Sequence, residues 1–185
     1  MGQPKLLLDL GGQPLIRRTV ERVKAGGVQD LVVVVGHEAD QIREALKGLP
    51  VRFCVNEKPE EGQSSSIKAG VSALQRGTTG ALIALGDQPA IPPQVIPRLI
   101  EIFRKTGMPI VVPVYRGNQG NPVLFGAEIF PGLLRLEGDQ GAKSLIEREA
   151  TRVIQVPFDD PMPSDIDTDS DYESLKKEFQ PPSAS

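Results

Sequence analysis

Gly80-Ala81-Leu82-Ile83-Ala84-Leu85-Gly86-Asp87-Gln88-Pro89, followed by Ile91-Pro92-Pro93, is the stretch on which the fold turns. Its first residues are small or apolar, and a short apolar run bounded by glycine reads as a buried strand. The prolines behind it read as a helix start, because proline's fixed φ suits the first helical turn. Asp87 then stands at the carboxyl end of a strand, the edge at which open α/β sheets bind ligands. A carboxylate there suits a hard divalent cation such as Mg2+. It equally suits a turn, or the cap of the next helix. Position alone leaves both readings standing.

Outward from that stretch, strand and helix signals alternate. Upstream, Pro14 to Ala25 reads as a helix with Leu15, Ile16, Thr19, Val20 and Val23 on one face, stopped by Gly26-Gly27. Strand Leu31 to Val35, helix Ala39 to Lys47, strand Val51 to Val55 and helix Ser64 to Gln75 follow. Downstream come a helix from Pro93 to Lys105, with Pro97 in its first turn, and strands at Ile110 to Val114 and Pro122 to Phe125. Short helices at Ile129 to Leu136 and Ala142 to Arg148, a strand at Arg152 to Val156 and a helix from Ser170 to Phe179 complete the series. The expectation is a single α/β domain over residues 1–180, a three-layer sandwich around a mostly parallel sheet. A disordered tail is expected at 181–185.

Composition narrows the function. With 185 residues and a net charge of −3, no polybasic surface for nucleic acid is evident. Aromatic content of 4% argues against base-stacking platforms. One cysteine, Cys54, excludes an internal disulfide framework and fits a reducing cytosol. Apolar runs such as Leu31-Val32-Val33-Val34-Val35 are strand-sized and do not approach a membrane span, and no signal peptide is expected. His37 is the only histidine, which excludes a zinc site built from several.

The N-terminus is unusual. Only Lys5 to Leu10 precedes the first helix, and Gly11-Gly12 end it quickly. It reads as a short strand or as a loop closing over a site. No Gly-rich phosphate loop stands between a strand and the first helix.

Several short motifs, in order, resemble the MobA-like nucleotidyltransferases, and among them the molybdenum-cofactor cytidylyltransferase branch. They are Met1-Gly2-Gln3-Pro4-Lys5-Leu6-Leu7, Gly11-Gly12-Gln13-Pro14-Leu15, Glu61-Gly62-Gln63-Ser64-Ser65-Ser66 and Gly86-Asp87-Gln88-Pro89. Gly120-Asn121-Pro122-Val123, Gly138-Asp139-Gln140-Gly141-Ala142 and Asp165-Ile166-Asp167-Thr168 continue the series. The resemblance runs from Met1 to about Leu175. The chain departs from the family pattern in three ways. Asn121 stands where His is frequent, and Lys143 stands where Arg is frequent. The first strand and most of the phosphate loop are absent. The resemblance therefore implies that Met1 matches a methionine inside the family's first motif. It predicts that in-frame codons upstream encode an apolar strand and a Gly- and Ser-containing loop ending in Arg.

By resemblance, the expected activity is transfer of a nucleoside monophosphate, CMP from CTP in first place, to the phosphate of molybdopterin with release of pyrophosphate. Guanylyl transfer, a sugar-phosphate acceptor, or a non-catalytic role in maturing a molybdenum hydroxylase are the alternatives. The implied cofactor is Mg2+, held by Asp87 and by Asp167, or by Asp165 in its place. Gly2, Lys5, Asn56, Ser64, Ser65 and Ser66 are implied nucleotide contacts, with Lys5 and Asp87 central to catalysis. Asn121, Asp139 and Lys143 are implied acceptor contacts. Each has a structural rival. Lys5 could be a solvated lysine, the serines a helix cap, Asn56 a turn residue, and Asp165 to Thr168 a capping signal for the last helix.

Overall fold

The computed structural model describes residues 4–139, 141–166 and 168–179. Gly2, Asp167 and the 181–185 tail lie outside the described residues. The first element is a 3-10 turn, Lys5–Leu7. The segment behind it pairs Asp9 with Pro14 in an isolated bridge, so Lys5 to Leu10 is a loop rather than a strand. Helix α1, Leu15–Ala25, buries the face expected from its apolar spacing. Then follow β1 (Val32–Val35), α2 (Ala39–Ala45), β2 (Arg52–Val55), α3 (Gln63–Ser72) and β3 (Gly80–Ile83). Beyond the Asp87 turn come α4 (Val95–Thr106), β4 (Ile110–Tyr115), β5 (Asn118–Gln119) and β6 (Val123–Gly126). The chain ends with α5 (Phe130–Leu133), α6 (Lys143–Arg148), β7 (Val153–Phe158) and α7 (Asp169–Phe179).

The strands form two sheets. β1 and β2 pair in parallel, Val32 opposite Arg52 and Val35 opposite Val55. The other sheet has five strands in the order β3-β6-β4-β5, with β7 also on β4. β7 runs parallel to β4, whereas β6 runs antiparallel to both β3 and β4. The α/β class holds, but the sheet is mixed rather than mostly parallel. The reason is local. Residues 116–117 turn β4 tightly back on itself, with φ of 47° at Arg116 and 90° at Gly117, so β5 and β6 return antiparallel.

Side chains alternate to the two faces of each strand. In the larger sheet, Leu82, Val111, Tyr115, Leu124 and Val156 pack beneath α1 and α4. Ile83, Ile110, Val112, Val123 and Phe125 pack beneath α3, α5 and α6. The result is the expected α/β/α layering. In the smaller sheet, Val33 and Val35 meet α1 and α2. A Cβ placed on Gly70 of α3 would sit 3.1 Å from Val34 Cγ2, so α3 covers the opposite face closely. Helices α1 and α3 thus lie across both sheets. Between β1 and β3 no ladder runs among the described residues.

Candidate functional site

The carboxyl ends of β2 and β3 carry the polar groups of interest. β3 runs into Gly86-Asp87, where backbone space is tight. A Cβ on Gly86 would lie 3.2 Å from Ile16 Cδ1 and 3.5 Å from Leu6 Cδ2. Thr19 Oγ1 donates to the Gly86 carbonyl at 2.9 Å, which fixes the turn against α1. Asp87 Oδ2 lies 2.8 Å from Lys5 Nζ, with the two side chains 22% and 30% exposed. A partly shielded pair of this kind is held more firmly than a surface pair, yet stays open to solvent and ligand. The structure therefore brings together Lys5 and Asp87 from opposite ends of the first half of the chain.

A buried network sits at the end of β2. The Asn56 amide hydrogen bonds to the Val35 carbonyl at 2.8 Å and so extends the β1–β2 ladder. Its Nδ2 donates to Ser65 Oγ at 2.7 Å and to Ser66 Oγ at 3.0 Å. Its Oδ1 accepts from the Lys58 N–H at 3.0 Å. Ser65 Oγ in turn donates to the Gly62 carbonyl at 2.7 Å. Ser64 N–H donates to the Gly138 carbonyl at 3.2 Å, which joins the Gly138-Asp139 loop to the first turn of α3. Gly62 has φ +86, and a Cβ there would fall 2.1 Å from Asp139 Oδ1, so only glycine fits this contact.

The other expected site residues make contacts of their own. Asp165 is exposed and accepts a hydrogen bond from Gln88 Nε2 at 2.7 Å. The Asn121 carbonyl accepts from the Tyr115 hydroxyl at 2.7 Å, and burial pushes that phenol well above its ordinary pKa. Lys143 opens α6 and is exposed. Thr168 caps α7 reciprocally with Asp171, so the capping reading holds for that residue. Gln88 was not singled out from the sequence. It stands inside the Gly86-Asp87-Gln88-Pro89 motif, where a polar residue beside a candidate ligand was a usable signal.

Among the described residues, two buried side-chain polar atoms lack a partner, Ser64 Oγ and Gln88 Oε1. Both belong to motif segments, and orphaned polar atoms mark places where water or a ligand completes the bonding. No group of three or more His, Cys, Asp or Glu able to hold a metal occurs among the described residues. Such a cluster is not required for Mg2+, which takes one or two protein carboxylates and fills its remaining positions with phosphate oxygens and water.

The architecture is that of the nucleotide-diphospho-sugar transferases. The chain belongs to the MobA-like NTP transferase domain family, whose model matches residues 1–153. It is similar to a nucleotidyl transferase from Methanothermobacter thermautotroptrophicus, 31% identical with a TM-score of 0.80 over 95% of this chain and 84% of that one. It is also similar to Rv0371C from Mycobacterium tuberculosis, solved as a complex with manganese. That chain is 28% identical with a TM-score of 0.81, covering 95% of this chain and 93% of that one. Among curated relatives, the bifunctional protein GlmU of Brucella anthropi is 31% identical over 149 residues, 80% of this chain and 31% of that protein. The chain spans only 20% of the GlmU from Aquifex aeolicus. Among the described residues, no helix is long and apolar enough to cross a membrane.

Proposed function

We propose that this chain transfers a nucleoside monophosphate, CMP from CTP in first place, onto the phosphate of a molybdopterin-type acceptor, with release of pyrophosphate. The observation that carries the transfer reading is the Lys5–Asp87 pair at the carboxyl end of β3. The choice of CTP and molybdopterin rests on the motif resemblance. An acceptor phosphate oxygen forms a bond to the α-phosphorus, and the bond to the departing pyrophosphate breaks. That oxygen is already anionic, so no strong general base is needed, and catalysis reduces to alignment and charge neutralisation.

Lys5 contacts the triphosphate as a point charge. Asp87, with Asp165 or Asp167, holds Mg2+. When bound, the ion neutralises phosphate oxygens as a Lewis acid. A divalent metal is supported by the manganese in the mycobacterial neighbour. Asn56 spends its amide donors on Ser65 and Ser66, so it shapes the loop that meets the nucleotide. Asn121, Asp139 and Lys143 serve the acceptor. A cytoplasmic location and contact with a molybdenum hydroxylase complete the reading.

The test is pyrophosphate release with CTP, GTP or ATP, Mg2+ and molybdopterin or a sugar phosphate. CTP with molybdopterin should dominate, and CTP should raise Tm more than GTP or ATP. Asp87→Ala should lower turnover by about a hundredfold or more. Near wild-type turnover in that variant overturns the role of Asp87. A GTP-dominated or sugar-phosphate-dominated profile replaces the substrate choice, and a well-folded chain with no turnover supports the accessory role.

A further inference from the structure

Gln88 follows Asp87 directly and is 4% exposed. Its Nε2 donates to Asp165 Oδ1 at 2.7 Å and to the Pro163 carbonyl at 3.4 Å. Both partners are oxygens, so the nitrogen must face them. The orientation leaves Oε1 buried without a partner among the described residues. The amide nitrogen is thus spent on the 163–165 segment.

Packing fixes the backbone around this contact. Ile166 is 1% exposed, in a cluster with Leu10, Leu15 and Leu175, and Ala90 packs against the same cluster. Asp165 is the exposed residue beside that anchor. Packing places its backbone, and Gln88 places its carboxylate. A second amide–carboxylate strap joins the same two segments at the surface, Gln94 Nε2 donating to Asp160 Oδ2 at 2.6 Å. Only the Gln88 strap adjoins Asp87.

We propose that Gln88 is a positioning residue that orients Asp165 as the second carboxylate of the divalent-cation site built on Asp87. This rests on the cation reading given above. Carboxylate ligands in metal sites are held by just such outer hydrogen bonds, whose loss typically weakens metal affinity by about 10–100-fold. Gln88→Met keeps length and shape but removes the donor. Gln94→Ala removes the surface strap and serves as a control.

The experiment measures Mn2+ affinity of the full chain by electron paramagnetic resonance, with Tm recorded for each variant. Gln88→Met should weaken Mn2+ binding about tenfold or more while the chain keeps a cooperative thermal transition. Gln94→Ala should leave the affinity unchanged. In an Asp165→Asn background, Gln88→Met should have no further effect, because its influence passes through that carboxylate. If Gln88→Met does not fold, Gln88→Leu takes its place in the same cycle. Wild-type affinity in folded Gln88→Met, or an undiminished effect in the Asp165→Asn background, overturns the positioning role while the cation site survives. Failure of the wild-type chain to bind Mn2+, or wild-type affinity in Asp87→Ala, overturns the cation reading itself.

Discussion

β6 is buried at every position, and β4 at all but one, whereas β3 is half-buried throughout and β2 has no buried residue. For β3 the sequence does not explain the contrast, since Gly80-Ala81-Leu82-Ile83 is as apolar as Val123-Leu124-Phe125-Gly126. Neighbours do. β4 pairs with β5, β6 and β7, but β3 pairs only with β6 and β1 only with β2 among the described residues. An apolar strand with an open edge and no charge or proline to protect it is an unusual thing for a protein to leave. Here α1 and α3 lie across the seam, Leu31 belongs to the clusters of both sheets, and the Lys5–Leu7 turn closes one end by packing Leu6 on Gly86. The larger sheet is the more deeply buried, while the candidate site residues come from both, Asn56 from the end of β2 and Asp87 from beyond β3.

The largest effect should come from the more deeply buried sheet. Phe125 is fully buried, between Ala81 and Ile110 in the ladder. Phe125→Ala should cost about 3–5 kcal/mol in denaturant unfolding. Phe53→Ala, half-buried in β2, should cost well under half as much. Equal costs would mean that the two sheets share one cooperative core, and the contrast would break.

Next in size is the seam. An extended apolar segment of about five residues, added as a free peptide or joined to the N-terminus, should seat between β1 and β3 and pair both edges. Tm should rise by about 4 °C or more, since roughly 2 °C accompanies each kcal/mol in a chain of this size. Amides of β1 and β3 should exchange more slowly, while those of β4 and β7, which do not border the seam, should not change. Unaltered exchange in β1 and β3 would show that the helices alone complete the seam.

How far the sequence reveals this division is itself instructive. Helices α1 and α4 and the strand runs were legible, because apolar spacing and glycine or proline stops are local signals. The direction of β6 was not, because it follows from a hairpin turn whose first residue, Arg116, takes a positive φ without being glycine. The 3-10 turn at Lys5–Leu7 was masked by a leucine run that suits a strand as well. At the site, Asp87 and Asn56 stood out from their places after strands and the serines from the Glu61 to Ser66 motif, and the structure ties Asn56 to Ser65 and Ser66 and Asp87 to Lys5. Gln88 was legible only as a polar residue beside Asp87, because its partner Asp165 approaches from 77 positions away.

The smallest effect tests whether the two-stranded sheet can be loosened by itself. Arg52, at the start of β2, donates its Nε to Asp30 Oδ1 at 3.0 Å and a further N–H to Oδ2, and its Nη1 reaches the Ala73 carbonyl at 2.9 Å. It so ties the entry of β1 to the end of α3. The hydrogen bonds from Arg52, aided by its charge and opposed by burial, hold the Asp30 carboxyl below its ordinary pKa. A depressed carboxyl stabilises the fold above the unfolded-state value of about 3.9 and loses that contribution as pH falls through the folded value. Acidification from pH 5 to below 4 should therefore speed amide exchange in β1 and β2 before it affects β4 or β7. Asp30→Asn should remove this pH step while lowering Tm by no more than about 2 °C, as for other exposed pairs. About 1 M salt should shrink the step by screening. If Asp30→Asn left the acid step in β1–β2 exchange intact, another group would be responsible. If it unfolded the whole molecule, the small sheet would not be the separately yielding half.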